Sequence, residues 1–133
     1  MAQAATRSNK APGYERNPAH RVDLKPAGQR VRVVLAGETL ADSRNATLVE
    51  ETGYGPVYYF PRADVRMALL ERTPHSSYCP YKGTAAYWTL KAAGQNAQDA
   101  VWTYEEPYDE AMPLKGLVSF WLQKIPGAEI VKG

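Results

Sequence analysis

The stretch "RVRVVLAGETLADSRNATLVEE", residues 30–51, constrains the fold more than any other part of the chain. Val31, Val33 and Leu35 alternate with Arg30, Arg32 and Val34, so an extended segment here has one apolar face. Gly37 supplies a tight connection, and Glu38 to Ser43 reads as the returning strand of a hairpin. "DSRNA" interrupts again, because Asp, Ser and Asn side chains compete for backbone hydrogen bonds. Thr47 to Glu51 reads as a third strand, which "TGYGP" ends. Short strands broken by turn chemistry predict a mainly β architecture of antiparallel strands.

The rest of the chain continues that pattern with one exception. "VYYFP" is a dense β-favouring run of one valine and three aromatic residues. "AAYWTLK", "AVWTY" and "GLVSFWLQ" follow as further strands, with "AAGQNAQD" a turn region and "EEPYDEAMPLKG" an acidic loop or short helix. The exception is "RADVRMALLE", residues 62–71, which reads as a helix. Pro61 suits its first turn, Asp64 favours the positive end of the helix dipole, and Val65, Ala68 and Leu69 form an apolar stripe. Residues 1–29 show no sustained periodicity and carry Pro12, Gly13, Pro18, Pro26 and Gly28. They read as an extended arm ahead of a single β-rich domain over residues 30–133. A chain of 133 residues is long enough for one domain with a real core.

Charge and cysteine usage exclude several classes of function. Sixteen basic and fourteen acidic residues leave a net charge of +2, too balanced to draw the chain to nucleic acid or a membrane surface. Basic residues lean toward the arm, where only Glu15 and Asp23 oppose them. The single cysteine, Cys79, excludes an internal disulfide and any thiolate-rich metal site. No apolar run approaches the roughly 20 residues that cross a bilayer. The first residues lack the apolar stretch of a secretory signal, so a cytoplasmic location is expected.

Chemistry-bearing residues concentrate in "SSYCPYKGTAAYW", residues 76–88. Pro80 pushes Cys79 toward an extended conformation, and "PYKG" fits a three-residue hairpin loop with Lys82 near its tip. His75, Cys79 and Lys82 are the candidate catalytic groups, a thiol with two neighbours that would lower its pKa. A packed, structural Cys79 is the favoured alternative, because a catalytic thiol needs a base oriented by a third group. One thiol and two histidines are too few for a structural zinc site, so no metal and no cofactor are expected.

Arg62 and Arg66 fall one turn apart on the expected helix. There they would form either an anion clamp or structural ion pairs. The aromatic residues divide between two faces: Tyr58 and Phe60 lie opposite Tyr59, and Tyr87 lies opposite Trp88. Two aromatic faces imply that one of them lines a cavity or an interface. No phosphate-cradling glycine loop and no Gly-x-Ser-x-Gly elbow is present.

Three motifs in order, "VYYFPRADVRM", "CPYKGTAAYW" and "VWTYEEP", resemble the family catalogued as domain of unknown function 427. The likeness spans about residues 14–121. It implies a small cytosolic domain found in bacteria and fungi, with a β-tent fold of two small antiparallel sheets meeting at an angle. Relatives in that fold often hold zinc between Cys-x-x-Cys knuckles, which this chain lacks. A nucleotidyltransferase-like name is attached to the family in places, yet the paired metal-binding carboxylates of such enzymes are missing here. The motif positions that fall on Tyr59, Arg62, Arg66, Cys79, Lys82, Gly83, Tyr87, Trp88 and Trp102 become candidates for a shared pocket.

Together these readings predict a metal-free site between two sheets for a small anionic or polar metabolite, either bound only or also transformed by acid–base chemistry through His75 or Lys82. Tyr59, Trp88 and Trp102 would line it, with Arg62, Arg66 and Lys82 supplying positive charge. The alternative expectation is a non-catalytic module that uses the same aromatic surface as a homodimer or partner interface.

Overall fold

The computed structural model of the protein describes residues 9–133; the first eight residues of the expected arm lie outside them. Among the described residues ten strands make three antiparallel sheets, where the family likeness implied two. The first sheet contains β1 (Val22–Pro26), β4 (Thr47–Glu51) and β5 (Val57–Tyr59), with β4 central. The second places β2 (Val31–Leu35) between β3 (Glu38–Ser43) and β10 (Ala128–Lys132). The third runs β6 (Leu70–Cys79), β7 (Gly83–Ala92), β8 (Gln95–Tyr104) and β9 (Val118–Phe120) in chain order. The β2–β3 and β4–β5 pairs do not join each other, and each gains an edge strand from elsewhere in the chain. β1, from the segment read as an arm, pairs with β4, and β10 pairs with β2.

The β2–β3 hairpin forms where the alternation placed it, with Val31, Val33 and Leu35 buried. Its turn residues Ala36 and Gly37 both have positive φ, 50° and 80°, the backbone twist that matches two paired strands. Ala93 and Gly94 repeat the arrangement between β7 and β8, at 49° and 76°.

The helix expected over residues 62–71 does not form. Arg62–Asp64 and Met67–Leu69 are separate single 3-10 turns, and Val65 between them is extended (φ −116°, ψ 140°). Val65 bridges Ala41 of β3, and the Arg66 N–H donates to the Leu40 carbonyl at 2.9 Å. Pairing with a sheet edge satisfies those backbone groups better than one isolated helical turn, whose nucleation is costly. Leu70 already begins β6.

The long third sheet separates two apolar clusters. Its alternation sends Trp88, Leu90 and Val101 into the larger one, beside Val31, Val33, Leu35 and Phe60. Tyr87 and Tyr104 enter the smaller one, with Val49, Tyr59, Ala111 and Leu114. Phe60 ties the first and third sheets together by exchanging two 2.8 Å backbone hydrogen bonds with Val118.

The segment before β1 docks on the β6–β7 turn. Gly13, in a single helical turn (Gly13–Arg16), donates its N–H to the Pro80 carbonyl at 3.0 Å. The His20 ring stacks on Tyr81 at 3.9 Å, and Tyr14 meets the same ring edge-on. A Cβ on Gly13 would lie 2.6 Å from the Tyr81 ring and 3.0 Å from the Pro80 oxygen. Tyr81 is held between two rings and cannot retreat freely. Gly13→Ala should therefore cost about 1–3 kcal/mol, despite alanine's better helix propensity. Chemical denaturation checks this, and an unchanged or raised stability would show that the docking is loose.

Candidate functional site

The smaller cluster does not fill the space between the first and third sheets. A cavity of about 730 Å³ remains. Alternation along β4 puts Val49 and Glu51 on its wall, and Tyr59 enters from the end of β5. Tyr87 on β7 and Trp102 on β8 are cross-strand partners, with Tyr104 two residues further on the same face. Cys79 and Lys82 come from the β6–β7 turn, and Tyr54, Trp121 and Leu122 stand among the outer lining residues.

Lys82 does not project from the hairpin tip as its loop position implies. Its side chain turns inward, and Nζ donates to Glu51 Oε1 at 2.5 Å. The other carboxylate oxygen, Oε2, accepts from His20 Nε2 at 2.8 Å. Lys82 and Glu51 side chains keep only 11% and 10% of their exposure, so the pair survives by mutual charge and hydrogen bonding rather than hydration. The backbone supports the turn too, since the Lys82 carbonyl accepts the Tyr108 N–H at 3.0 Å.

Three phenols complete the polar surface. Trp102 Nε1–H donates to the Tyr59 hydroxyl at 3.1 Å, and the two rings meet edge-on. The Tyr87 hydroxyl pairs with Ser77 Oγ at 2.7 Å. The Tyr104 hydroxyl has no hydrogen-bond partner among the described residues. Burial pushes the Tyr59 and Tyr104 phenols above their ordinary range, and the Glu51 carboxylate raises both further. For Tyr59 the Trp102 hydrogen bond acts in the opposite direction. Both phenols are therefore neutral O–H donors at physiological pH.

The structure brings Tyr59, Cys79, Lys82, Tyr87 and Trp102 to this cavity and leaves Arg62, Arg66, His75 and Trp88 elsewhere. Arg62 donates to the Gly116 carbonyl at 3.0 Å and reaches Glu105 at 3.4 Å. Arg66 pairs with Glu38 at 3.0 Å. Without the helix the two arginines share no face, and each ends on a carboxylate, the ion-pair alternative to the clamp. Trp88 points to the opposite side of the sheet, where the guanidinium carbons of Arg62 and Arg72 lie 5.2 and 5.4 Å from its ring centre. His75 packs on the Tyr87 ring at 4.6 Å and borders a separate surface hollow. Cys79 is half-buried against the smaller cluster, and its thiol has no hydrogen-bond partner among the described residues. No group of three His, Cys, Asp or Glu side chains spaced for a metal ion occurs among the described residues.

Sequence reasoning did not single out Tyr104 or Lys132, and it missed both partners of Lys82's ion pair network, Glu51 and His20. Glu51 shares the buried face of β4 with Val49 by simple alternation, and a carboxylate on a buried face requires a partner. That signal was present. His20 offered none, because only tertiary docking carries it to Glu51.

No helix among the described residues is long and apolar enough to cross a membrane. A family model described as a domain of unknown function, DUF427, matches residues 23–130. The match covers the cavity wall from Val49 to Ile130 but begins after His20. No curated protein matches the chain.

Proposed function

The chain belongs to the DUF427 family, whose description assigns no activity, and we propose that it binds a small polar or anionic metabolite in the cavity between its first and third sheets. The nucleotidyltransferase-like name is a catalogue label and carries no chemistry to these residues. The observation that supports the reading is the buried Lys82–Glu51 pair set in the wall of an aromatic cavity of about 730 Å³. That volume lies within the roughly 300–1,000 Å³ typical of small-molecule sites, as does a mostly apolar wall with few placed polar groups. Positive charge in the site comes from Lys82 and from Lys132, another lining residue, rather than from Arg62 and Arg66. Binding alone accounts for this arrangement, and no catalytic step is assigned.

A thermal-shift screen against small metabolites tests the reading. A ligand at 100 times its Kd stabilises the native state by about 2.7 kcal/mol. The expected result is a set of hits whose shift disappears in Val57→Phe, which adds a ring to the cavity wall. No hits, or hits indifferent to Val57→Phe, would overturn it. Self-association is the other use this surface fits, because Tyr54 and Trp121 are 72% and 41% exposed at the outer lining. In that case the melting temperature would rise with protein concentration and respond to no compound.

A further inference from the structure

The charged hydrogen-bonding capacity left over at the cavity is all on the donor side, while the phenols and the Gln123 amide of the lining can serve either role. Among the described residues Glu51 is the only acidic one in the lining, and both of its oxygens are engaged, by Lys82 and by His20. An ammonium carries three donors, and Lys82 directs one to protein, so two remain among the described residues. The Tyr59 oxygen accepts from Trp102, which leaves its own hydrogen free to donate. Tyr104 has its whole hydroxyl unspent. Trp102 Nε1–H is already used on Tyr59.

Charge points the same way. The lining holds Lys82, Lys132 and Glu51, and Lys132 forms no ion pair among the described residues. The lining therefore carries one net positive charge. A ligand amine would find no free carboxylate and would face two ammonium groups. A ligand oxygen would find several donors, in surroundings where an unmet donor costs more than it does in water.

We infer that the metabolite carries a carboxylate head seated against Lys82, Tyr59 and Tyr104, with a compact aromatic or aliphatic body held by Trp102, Val57 and Phe120. This rests on the binding role proposed above and names its ligand class. A monoanion matches the single net charge, and a carboxylate presents two acceptor oxygens to donors from different strands. The body lies against walls that offer ring faces and aliphatic carbon.

The test compares three probes of equal length: 3-phenylpropionate, 3-phenylpropanol and 3-phenylpropylamine. The readout is the NMR signal of the Trp102 indole N–H, assigned with Trp102→Phe. 3-Phenylpropionate is expected to move that signal and to bind at least about tenfold tighter than the amine, with the alcohol between them. Lys82→Met should remove most of that preference. Tyr104→Phe, whose hydroxyl has no protein partner to lose, should weaken the carboxylate several-fold and leave the fold unchanged. Equal or tighter binding of the amine would overturn the carboxylate assignment while leaving the cavity a binding site. Unchanged carboxylate affinity in Tyr104→Phe would also overturn the proposed seat. If none of the three moves the Trp102 signal at millimolar concentration, the binding role itself fails.

Discussion

Lys82→Met is expected to destabilise the protein by about 3–5 kcal/mol, although the residue sits in a turn. Turn lysines are ordinarily solvated and replaceable, and exposed ion pairs contribute roughly 0–1 kcal/mol. This one differs because Glu51 keeps only 10% of its side-chain exposure. Removing the ammonium leaves a buried carboxylate with His20 as its single side-chain partner. Penalties of this kind come from the charge left behind, not from the strength of the lost bond. The double variant Glu51→Met with Lys82→Met removes both charges and should recover most of the loss. A double-mutant cycle by chemical denaturation measures this, with a coupling energy well above the few tenths of a kcal/mol seen for independent sites. Additive losses, or a single-variant loss under about 1 kcal/mol, would mean that the pair is hydrated and open. The cavity would then lack the fixed polar end on which the proposed site depends.

How far the sequence anticipated this arrangement depends on the strength of each local signal. β2, β3 and β4 were legible because Val31, Val33 and Leu35 alternate cleanly and turn residues bound each strand. The opposition of Tyr59 to Phe60, and of Tyr87 to Trp88, followed from the pleat alone, and these pairs do enter different clusters. β6 was not legible. It carries Pro74 in its middle, and most of its residues are exposed. Its pairing with β7 shifts register between Arg72 and Ser76, which is where an edge strand accommodates proline. β1 and β10 failed to register because each is a five-residue edge strand with no fully buried residue, and β1 lies in a stretch rich in proline and glycine.

The apolar content of residues 62–71 fitted a helix and an extended segment equally well over so short a span. Tertiary pairing of Val65 with Ala41 decided between them. That outcome removed the arginine clamp, because its geometry existed only on a helix. The site residue Lys82 was legible as a candidate, but its partners were not combined with it. Glu51 lies 31 positions earlier in the chain, and no periodicity links a turn to a distant strand end.

Trp88→Ala is expected to cost about 3–5 kcal/mol and to lower the melting temperature by on the order of 10–20 °C, while Trp88→Phe should cost clearly less. Trp88 is 6% exposed within the larger cluster. Its ring also supports a layer of charge: Arg62 and Arg72 lie over it, and both guanidinium groups reach Glu105, at 3.4 and 2.9 Å. Hydrogen bonding from Arg72 is the main cause that holds the Glu105 carboxyl below its usual range. An alanine would open a cavity beneath this layer and remove the face on which both cations rest. Phenylalanine keeps an aromatic face there and most of the volume. The comparison also separates two roles that the sequence could not tell apart, a ligand wall and a core anchor. If Trp88 is an anchor on the far side of the sheet, Trp88→Phe leaves the affinity of a cavity ligand unchanged at a temperature where the variant is folded. If that affinity collapses while stability stays near wild type, the ligand surface extends to the other face of the sheet and the cavity assignment is wrong. Thermal denaturation followed by NMR titration on the same sample reads both quantities. The expected outcome is a protein whose stability depends on Trp88 and whose binding depends on the turn six residues before it.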